Sequence, residues 1–347
     1  GMTPAGFVAF VEGIAREEGA TRAQIIFGGD HLGPNPWRKE PAEIALQKAA
    51  DMVEAYVAAG FGKIHLDASM GCAGEPVALD DHTVALRAAA LCAVAERTAA
   101  KAGLPAPVYI LGTEVPIPGG ADHALDMVEP TAPDAARETI AIHREAFAKA
   151  GLADVFGRVI AFVVQPGVEF GSDNVIAYDP PRAAALSGLL GEEPDLVFEA
   201  HSTDYQTEAA LATLVRDGYP ILKVGPGLTF AYREALYSLD LIASDLVPGY
   251  GERALARAME ALMLEKPGNW RGYYHGDETE LRIQRHFSYS DRIRYYWTQP
   301  EAEAAVQKLL TALDGVRIPE TLLHQYLPNV APGDAVRAED ILVAAVD

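Results

Sequence analysis

Residues with metal-binding or acid–base chemistry follow several short apolar runs of this sequence. The pair Asp30 and His31 comes after one such run, Asp67 closes the next, and His201 follows a later one. Neutral imidazole is a common ligand of divalent transition metals. A carboxylate can move a proton to or from a sugar hydroxyl. The residue types therefore predict a metal site with acid–base groups beside it.

His31 and His201 are the predicted metal ligands. Glu114 or Gln165, each of which also follows an apolar run, would complete the ligand set. Water would take an open coordination position, as in other catalytic metal sites. The expected cofactor is a divalent metal such as zinc.

Asp30 and Asp67 are the predicted groups for proton transfer. For His65 and Asp67, a satisfied interior hydrogen bond without a catalytic role is an equally good interpretation. Ser202, which follows His201, is predicted to contact the substrate. It does not lie in the G-x-S-x-G elbow of a serine hydrolase.

A glycine-rich stretch after the last apolar run favours a phosphate site. Gly225 and Gly227 precede a predicted helix, and Lys223 lies just before them. Backbone N–H groups at a helix N-terminus can hold a phosphate, and Arg292 and Arg294 would add guanidinium groups. The alternatives are an ordinary strand-to-helix turn for the glycines and a surface salt-bridge face for the arginines.

Nucleotide binding has no support in the sequence. It contains no G-x-x-x-x-G-K-[ST] loop and no G-x-G-x-x-G segment that opens a helix. We therefore expect no nucleotide cofactor.

The elements that position these residues alternate between apolar runs and longer Ala-rich amphipathic stretches. The runs predict strands at 25–29, 63–67, 108–113, 159–164, 196–200 and 221–224. Helices are predicted at 4–19, 40–59, 80–103, 133–151, 180–190, 205–217 and 229–246. Repeated β-then-α units indicate a parallel sheet of an α/β fold, with the polar residues together at the carboxyl ends of its strands.

The fold class predicted is a TIM-type (β/α) barrel. Six strands are visible and a barrel has eight, so either a preceding piece is missing or the barrel is incomplete. Residues 1–250 are assigned to the barrel. Residues 251–347 are assigned to a mostly helical extension packed on it, with helices at 251–265, 300–313, 319–326 and 338–346.

Composition excludes several classes of protein. Among 347 residues, 28 Lys and Arg oppose 49 Asp and Glu, giving a net charge of -21. A chain this acidic should repel nucleic acid and anionic membranes. It has two cysteines and no long apolar run, so neither a disulfide framework nor a membrane span is expected. We predict a cytoplasmic protein.

Seven segments carry a resemblance to a known family. They are GGDHLGPN at 28–35, KIHLDASM at 63–70, GTEVP at 112–116, VQPGVEF at 164–170, EAHSTDYQ at 199–206, KVGP at 223–226 and SDRIRYYW at 290–297. On these segments the chain resembles the GatZ/KbaZ-like proteins. These are accessory subunits of class II tagatose-1,6-bisphosphate aldolase, also labelled tagatose-6-phosphate kinases, and the family includes D-tagatose 6-phosphate 4-epimerases.

The resemblance implies an aldolase-like barrel whose first two βα units are missing from this chain, and a set of site residues. Asp30 and His31 resemble the Asp-His pair of catalytic class II aldolases, where Asp is the proton donor and His is a zinc ligand. His201 resembles a second zinc ligand. The third ligand is a His in those enzymes, whereas this chain has Gln165, which puts ordinary aldolase zinc binding in doubt.

The resemblance leaves three functions open. The first is a metal-dependent 4-epimerase that breaks and re-forms the C3–C4 bond of D-tagatose 6-phosphate, with Asp30 moving the C4-hydroxyl proton and Glu114 or Asp67 assisting. The second is a non-catalytic subunit of a class II aldolase. The third, and least supported, is a tagatose-6-phosphate kinase. The expected partners are a phosphorylated ketose, a class II aldolase subunit in the second case, and further copies of the chain in a homo-oligomer.

Overall fold

A computed structural model of the chain describes residues 2–112, 127–330 and 337–346. Six of its strands form one parallel sheet, and two form a short antiparallel hairpin. The strands are β1 (Gly28–Leu32), β2 (Lys63–Leu66), β3 (Val108–Leu111), β4 (Val159–Val164), β5 (Glu169–Phe170), β6 (Val175–Ile176), β7 (Val197–Ala200) and β8 (Ile221–Leu222). The parallel sheet has the order β1-β2-β3-β4-β7-β8, and β5 pairs with β6.

Helices connect the strands and then continue alone to the end of the described chain. They are α1 (Pro4–Glu17), α2 (Ala42–Ala58), α3 (Asp81–Ala102), α4 (Pro133–Lys149), α5 (Ala153–Phe156), α6 (Pro180–Gly188), α7 (Glu208–Arg216), α8 (Gly227–Leu246), α9 (Ala254–Glu265), α10 (Glu278–Phe287), α11 (Pro300–Leu313), α12 (Glu320–Tyr326) and α13 (Ala338–Val346). Among these described helices, none has both the length and the apolar character that a membrane crossing requires.

The parallel sheet is buried because helices cover it. Ile64 of β2, Ile110 of β3 and Phe198 of β7 are fully buried. Apolar runs of this kind are typical of parallel strands packed against helices. The mixed α/β architecture with sequential parallel strands agrees with the α/β class predicted above.

The two edges of the sheet approach each other at the carboxyl ends of their strands. Lys223, which follows β8, places its Nζ 3.0 Å from Nε2 of His31 in β1. The sheet is therefore curled, and its six strand ends surround one region instead of forming a straight row.

A second apolar core lies among the C-terminal helices. Leu239 and Ile242 of α8 are buried with Met259 of α9, Leu309 of α11 and Ile341 of α13. The helix that follows the last strand of the sheet thus belongs to this second core. The predicted division at residue 250 remains a prediction.

The first strand begins three residues later than predicted. The apolar run at 25–27 suggested a strand at 25–29, but Ile26 is 84% exposed, and parallel pairing starts at Gly28 opposite Lys63. The run contributes Phe27 to the core instead. Asp30 and His31 consequently lie inside β1 and not after it.

Candidate metal centre at the strand ends

A bulge in β1 directs His31 into the curled end of the sheet. The register between β1 and β2 shifts between Gly29 and Leu32, and His31 has a φ of 52°. That left-handed conformation is uncommon for a residue with a side chain and is concentrated at functional sites. Gly33 follows so close to the carbonyl group of Asp67 that no Cβ fits there.

Both ring nitrogens of His31 have polar partners. Nδ1 lies 3.1 Å from Oδ2 of Asp67, and Nε2 lies 3.0 Å from Nζ of Lys223. An ammonium group can only donate, so Nε2 of His31 accepts from Lys223 and Nδ1 is the nitrogen that donates to Asp67. The Asp67 carboxylate, as the acceptor of this hydrogen bond, orients the ring.

Asp67 is also held by its own loop. Its Oδ1 accepts from the hydroxyl of Ser69 at 2.8 Å and from the Ser69 backbone N–H at 3.2 Å. Burial would raise the pKa of Asp67, but the hydrogen bonds from His31 and Ser69 lower it to about 2. An ionised Asp67 that faces His31 is suited to orienting this ring.

Three buried side chains bring together the donor atoms that a metal requires. His65, Glu199 and His201 each offer a ligand atom, and these atoms lie within 4.8 Å of one another. His201 Nε2 is 2.8 Å from Glu199 Oε1. Two imidazoles and one carboxylate form a known ligand set for catalytic zinc, so these residues fit a divalent metal.

The imidazole of His65 is in the protonation state that a metal ligand requires. Burial and the charge of Lys223 lower its pKa to about 3, so the ring is neutral near pH 7. Its nitrogens make contacts of 3.4 Å with the backbone N–H of His31 and with the carbonyl oxygen of Gly112. Both contacts are long for hydrogen bonds and hold the ring weakly.

Two lysines neutralise the carboxylates around this set. Lys63 Nζ is 2.9 Å from Asp30 and 3.2 Å from Glu199, and Lys223 Nζ is 3.6 Å and 3.7 Å from the same two carboxylates. Burial opposes ionisation of Asp30, but Lys223 and Lys63 lower its pKa to about 2. For Glu199, burial is likewise outweighed by His201, His65 and the lysines, and its pKa is also about 2.

The backbone groups predicted to hold phosphate already have an acceptor. The N–H groups of Gly225 and Gly227 donate to the carboxylate of Asp204 at 2.9 Å and 2.7 Å, and Asp204 is buried. The prediction of free N–H groups at these two glycines does not describe this arrangement. A phosphate bound there would have to replace the Asp204 carboxylate.

The two predicted phosphate-binding arginines face different neighbours. The guanidinium of Arg292 lies 3.3 Å from the ring centroid of Tyr273. Arg294 donates from Nη2 to the hydroxyl of Tyr295 at 2.9 Å, and its charge lowers the pKa of Asp204 against the larger effect of burial. Arg294 therefore acts on the turn that precedes α8, whereas Arg292 packs on aromatic side chains of the C-terminal region.

The remaining predicted residues occupy distinct positions. Gln165 Oε1 accepts from the backbone N–H groups of Gly167 and Val168 at 2.8 Å each, so it holds the turn before β5. Ser202 is buried and has a φ of 53°, directly after His201. Glu114 lies outside the described residues.

His65 and Glu199 received no predicted metal-binding role, and Lys63 received no predicted role. Side chains two residues apart on a strand point to the same face. His65 therefore shares a face with Asp67, and Glu199 shares one with His201, and this alternation is the signal that would have found them.

Comparison with known proteins identifies the family. The model of the D-tagatose-1,6-bisphosphate aldolase subunit GatZ/KbaZ-like family matches residues 1–346, and this chain belongs to that family. It is 71% identical over 350 residues to a D-tagatose 6-phosphate 4-epimerase of Agrobacterium fabrum, covering 100% of this chain and 82% of that protein.

Two further relatives carry different names. A D-tagatose-1,6-bisphosphate aldolase subunit GatZ of Salmonella dublin is 48% identical over 94% of this chain and 77% of its own length. The crystal structure of a probable tagatose 6-phosphate kinase from Sinorhizobium meliloti 1021 superposes with a TM-score of 0.89 at 55% identity, covering 100% of this chain and 86% of that one. These relatives of the chain are thus named for three different activities.

Proposed function

We propose that this protein is a D-tagatose 6-phosphate 4-epimerase. The observation that carries the proposal is the buried set of His65, Glu199 and His201, which lies beside the ionised Asp30 at the strand ends. An inert subunit has no need for three buried ligand groups within reach of one another, because burying polar groups costs free energy unless they are paired or bind something. The relative named as this epimerase, at 71% identity, supports the same activity.

The metal, expected to be zinc or a similar divalent ion, would be held by His65, Glu199 and His201. When bound, it would supply Lewis-acid polarisation of the ketose carbonyl. The metal ligands predicted from the sequence were His31, His201 and Gln165. The proposed set keeps His201 and has His65 and Glu199 in place of the other two. His31 is engaged by Lys223 and Asp67, and the side-chain oxygen of Gln165 is engaged by its own turn.

In this proposal Asp30 moves the proton of the reaction. Its carboxylate takes the proton of the C4 hydroxyl while the C3–C4 bond breaks and the bonding electron pair passes toward the C2 carbonyl. The ammonium groups of Lys63 and Lys223 stabilise the negative charge that develops. The aldehyde fragment then rotates so that its opposite face meets C3. The C3–C4 bond re-forms and Asp30 returns the proton to the C4 oxygen, which gives D-fructose 6-phosphate.

Phosphate recognition in this proposal uses the cations near the strand ends. Lys223 lies inside the site, and Arg294 lies at the turn before α8. Ser202 and Arg292 remain predicted substrate contacts. Gly225 and Gly227 would contact the phosphate only if it replaced the Asp204 carboxylate. Glu114 and Asp67 remain the predicted assistants of Asp30.

The barrel fold, the location and the oligomeric state are part of the proposal. We infer that the curled parallel sheet is part of a TIM-type barrel of the class II aldolase kind, because its strands follow chain order and their ends converge. A cytoplasmic location and a homo-oligomeric state also remain predictions.

The test is conversion of the sugar by the protein alone. The purified protein is incubated with D-tagatose 6-phosphate and a divalent metal, without ATP, and the sugar is followed by NMR. We expect D-fructose 6-phosphate to appear and expect chelator to abolish the conversion. Absence of conversion with every divalent metal tried would contradict the epimerase proposal.

The second proposed function is an accessory subunit of a class II aldolase. The relative at 48% identity that is named as an aldolase subunit favours it. It predicts no conversion by the protein alone and a rise in aldolase activity when a catalytic aldolase subunit is added. A kinase would instead require ATP for any change in the sugar, which the ATP-free reaction distinguishes.

A further inference from the structure

We propose that Lys223 holds His31 out of the metal ligand set, so that a divalent metal and Lys223 compete for His31. The inference rests on the metal site of the proposed function. It makes Lys223 a residue that sets metal affinity, in addition to any contact with the substrate.

The first observation is the contact itself. Lys223 Nζ lies 3.0 Å from His31 Nε2. An ammonium group has donors and no acceptor, so it occupies the lone pair with which this imidazole would bind a metal. Asp67 lies 3.1 Å from the other ring nitrogen and keeps the proton there.

The second observation is the position of the His31 ring. Its centroid lies 5.0 Å from that of His65 and 5.3 Å from that of His201. His31 is therefore a direct neighbour of both imidazoles in the proposed metal set. Removing its present partner leaves a third imidazole at the same site.

The third observation is the charge that Lys223 brings to the metal position. Its Nζ is 3.7 Å from Glu199 Oε1, which is the one anionic ligand of the set. A positive charge at this distance competes with a divalent cation for the same carboxylate. Lys223 therefore opposes metal binding in two ways, through Glu199 and through His31.

Lys63 provides a matched control within the same site. It carries the same charge and contacts Asp30 and Glu199, at 2.9 Å and 3.2 Å. Its hydrogen bonds and ion pairs in the described structure go to these carboxylates and not to His31. Loss of Lys63 therefore changes the local charge without changing the partner of His31.

The experiment measures binding of Co²⁺ to the metal-free protein by calorimetry and by visible absorption. The variants are Lys223→Met and Lys63→Met, each with and without His31→Asn, beside the unsubstituted protein and His31→Asn alone. Asn is chosen because it tolerates the left-handed conformation of residue 31 better than Ala does. Circular dichroism checks that every variant is folded.

We expect Lys223→Met to bind Co²⁺ at least about tenfold more tightly, since second-layer partners of a metal site typically change affinity by roughly 10–100-fold. The visible spectrum should change because an imidazole joins the ligand set. His31→Asn should remove this gain in the Lys223→Met background and should change the affinity little when Lys223 is present.

Three results would overturn the proposal: no gain in Lys223→Met, an equal loss from His31→Asn in both backgrounds, or the same His31-dependent gain in Lys63→Met. Failure of all the proteins to bind Co²⁺ would overturn it as well. If the binding pattern is as expected but D-tagatose 6-phosphate is not converted, the epimerase proposal fails and this inference stands.

Discussion

At the scale of single residues, one carboxylate links the charges of the site. Glu199 is fully buried, and it contacts His201, Lys63 and Lys223. A buried carboxylate requires partners of this kind to stay ionised. Because it is also the anionic member of the proposed metal set, its charge should matter more for metal binding than for folding.

Glu199→Gln should therefore weaken metal binding by roughly 10-fold or more. The substitution keeps the shape of the side chain and an oxygen that faces His201, but it removes the negative charge. Calorimetric titration with Zn²⁺ measures the affinity, and the rate of sugar conversion should fall with it.

The matched control for Glu199→Gln lies at the opposite end of the sheet. Glu96 is paired with Arg158 and accepts from the hydroxyl of Tyr109, so Glu96→Gln also breaks an ion pair. We expect it to lower stability and to leave Zn²⁺ affinity unchanged. If Glu199→Gln binds Zn²⁺ as tightly as the unsubstituted protein, Glu199 is not a metal ligand.

The sequence predicted the region of the site better than the ligand set. Asp30, His31 and His201 were predicted at strand ends and lie together there. His65 and Glu199 received no metal role, because the sequence does not say which strands lie face to face or how far apart their side chains are. The alternation along one strand shows which face of the sheet a side chain is on. The distances between side chains of different strands depend on how the sheet curls.

At the scale of elements, the turn between β8 and α8 depends on a residue from the preceding loop. Asp204, after β7, accepts from the N–H groups of Gly225 and Gly227. The Cβ of any side chain at residue 227 would lie 3.0 Å from Oδ1 of Asp204. The carboxylate thus takes the position at the N-terminus of α8 that the sequence assigned to a phosphate.

Asp204→Ala should lower the free energy of unfolding by about 1–3 kcal/mol, because the backbone N–H groups of Gly225 and Gly227 lose their acceptor. Asp204→Asn keeps one side-chain oxygen and should cost less. Denaturation with guanidinium chloride at pH 7 measures both. Equal stability of the Ala variant and the unsubstituted protein would show that water replaces the carboxylate without cost.

The elements themselves were predicted unevenly, for identifiable reasons. Helices with strong start signals were placed well: the helix predicted at 133–151 is α4 (Pro133–Lys149). The short hairpin β5–β6 and the helix α10 were not predicted. Two-residue strands have too few positions to show an alternation. Helix α10 begins with a capping box at Asp277. The aromatic and basic residues from His286 onward obscured its helical pattern.

At the scale of the whole molecule, the net charge of -21 opposes an anionic ligand. Lys63 and Lys223 supply positive charge at the strand ends, where the carboxylates they pair with are ionised. These carboxylates contribute stability above about pH 4, the ordinary value of an unfolded carboxyl group. They lose it only as the pH falls toward about 2.

Buried histidines make the free energy of unfolding depend on pH between pH 7 and pH 5. Burial lowers the pKa of His65 to about 3 and that of His286 to about 4. In the unfolded chain both titrate near about 6.5. As the pH falls below that value, the unfolded chain binds protons that the folded protein does not, so the free energy of unfolding decreases.

Asp291 acts in the opposite direction. Burial raises its pKa to about 6, so the folded protein takes up a proton there as the pH falls below about 6, while the unfolded chain does so only near about 4. Asp291 therefore offsets part of the effect of the buried histidines.

His286 tests this assignment because it lies among the C-terminal helices, away from the metal set. Its ring contacts the hydroxyl of Tyr237 and the carboxylate of Glu260. His286→Gln removes its titration. From about 1.4 kcal/mol per pKa unit, the loss of stability between pH 7 and pH 5 should be smaller by roughly 2 kcal/mol in this variant. Guanidinium denaturation of the metal-free protein at pH 7, 6 and 5 measures the difference. An unchanged pH dependence in His286→Gln would mean that this histidine is protonated in the folded protein, with the Glu260 carboxylate outweighing burial.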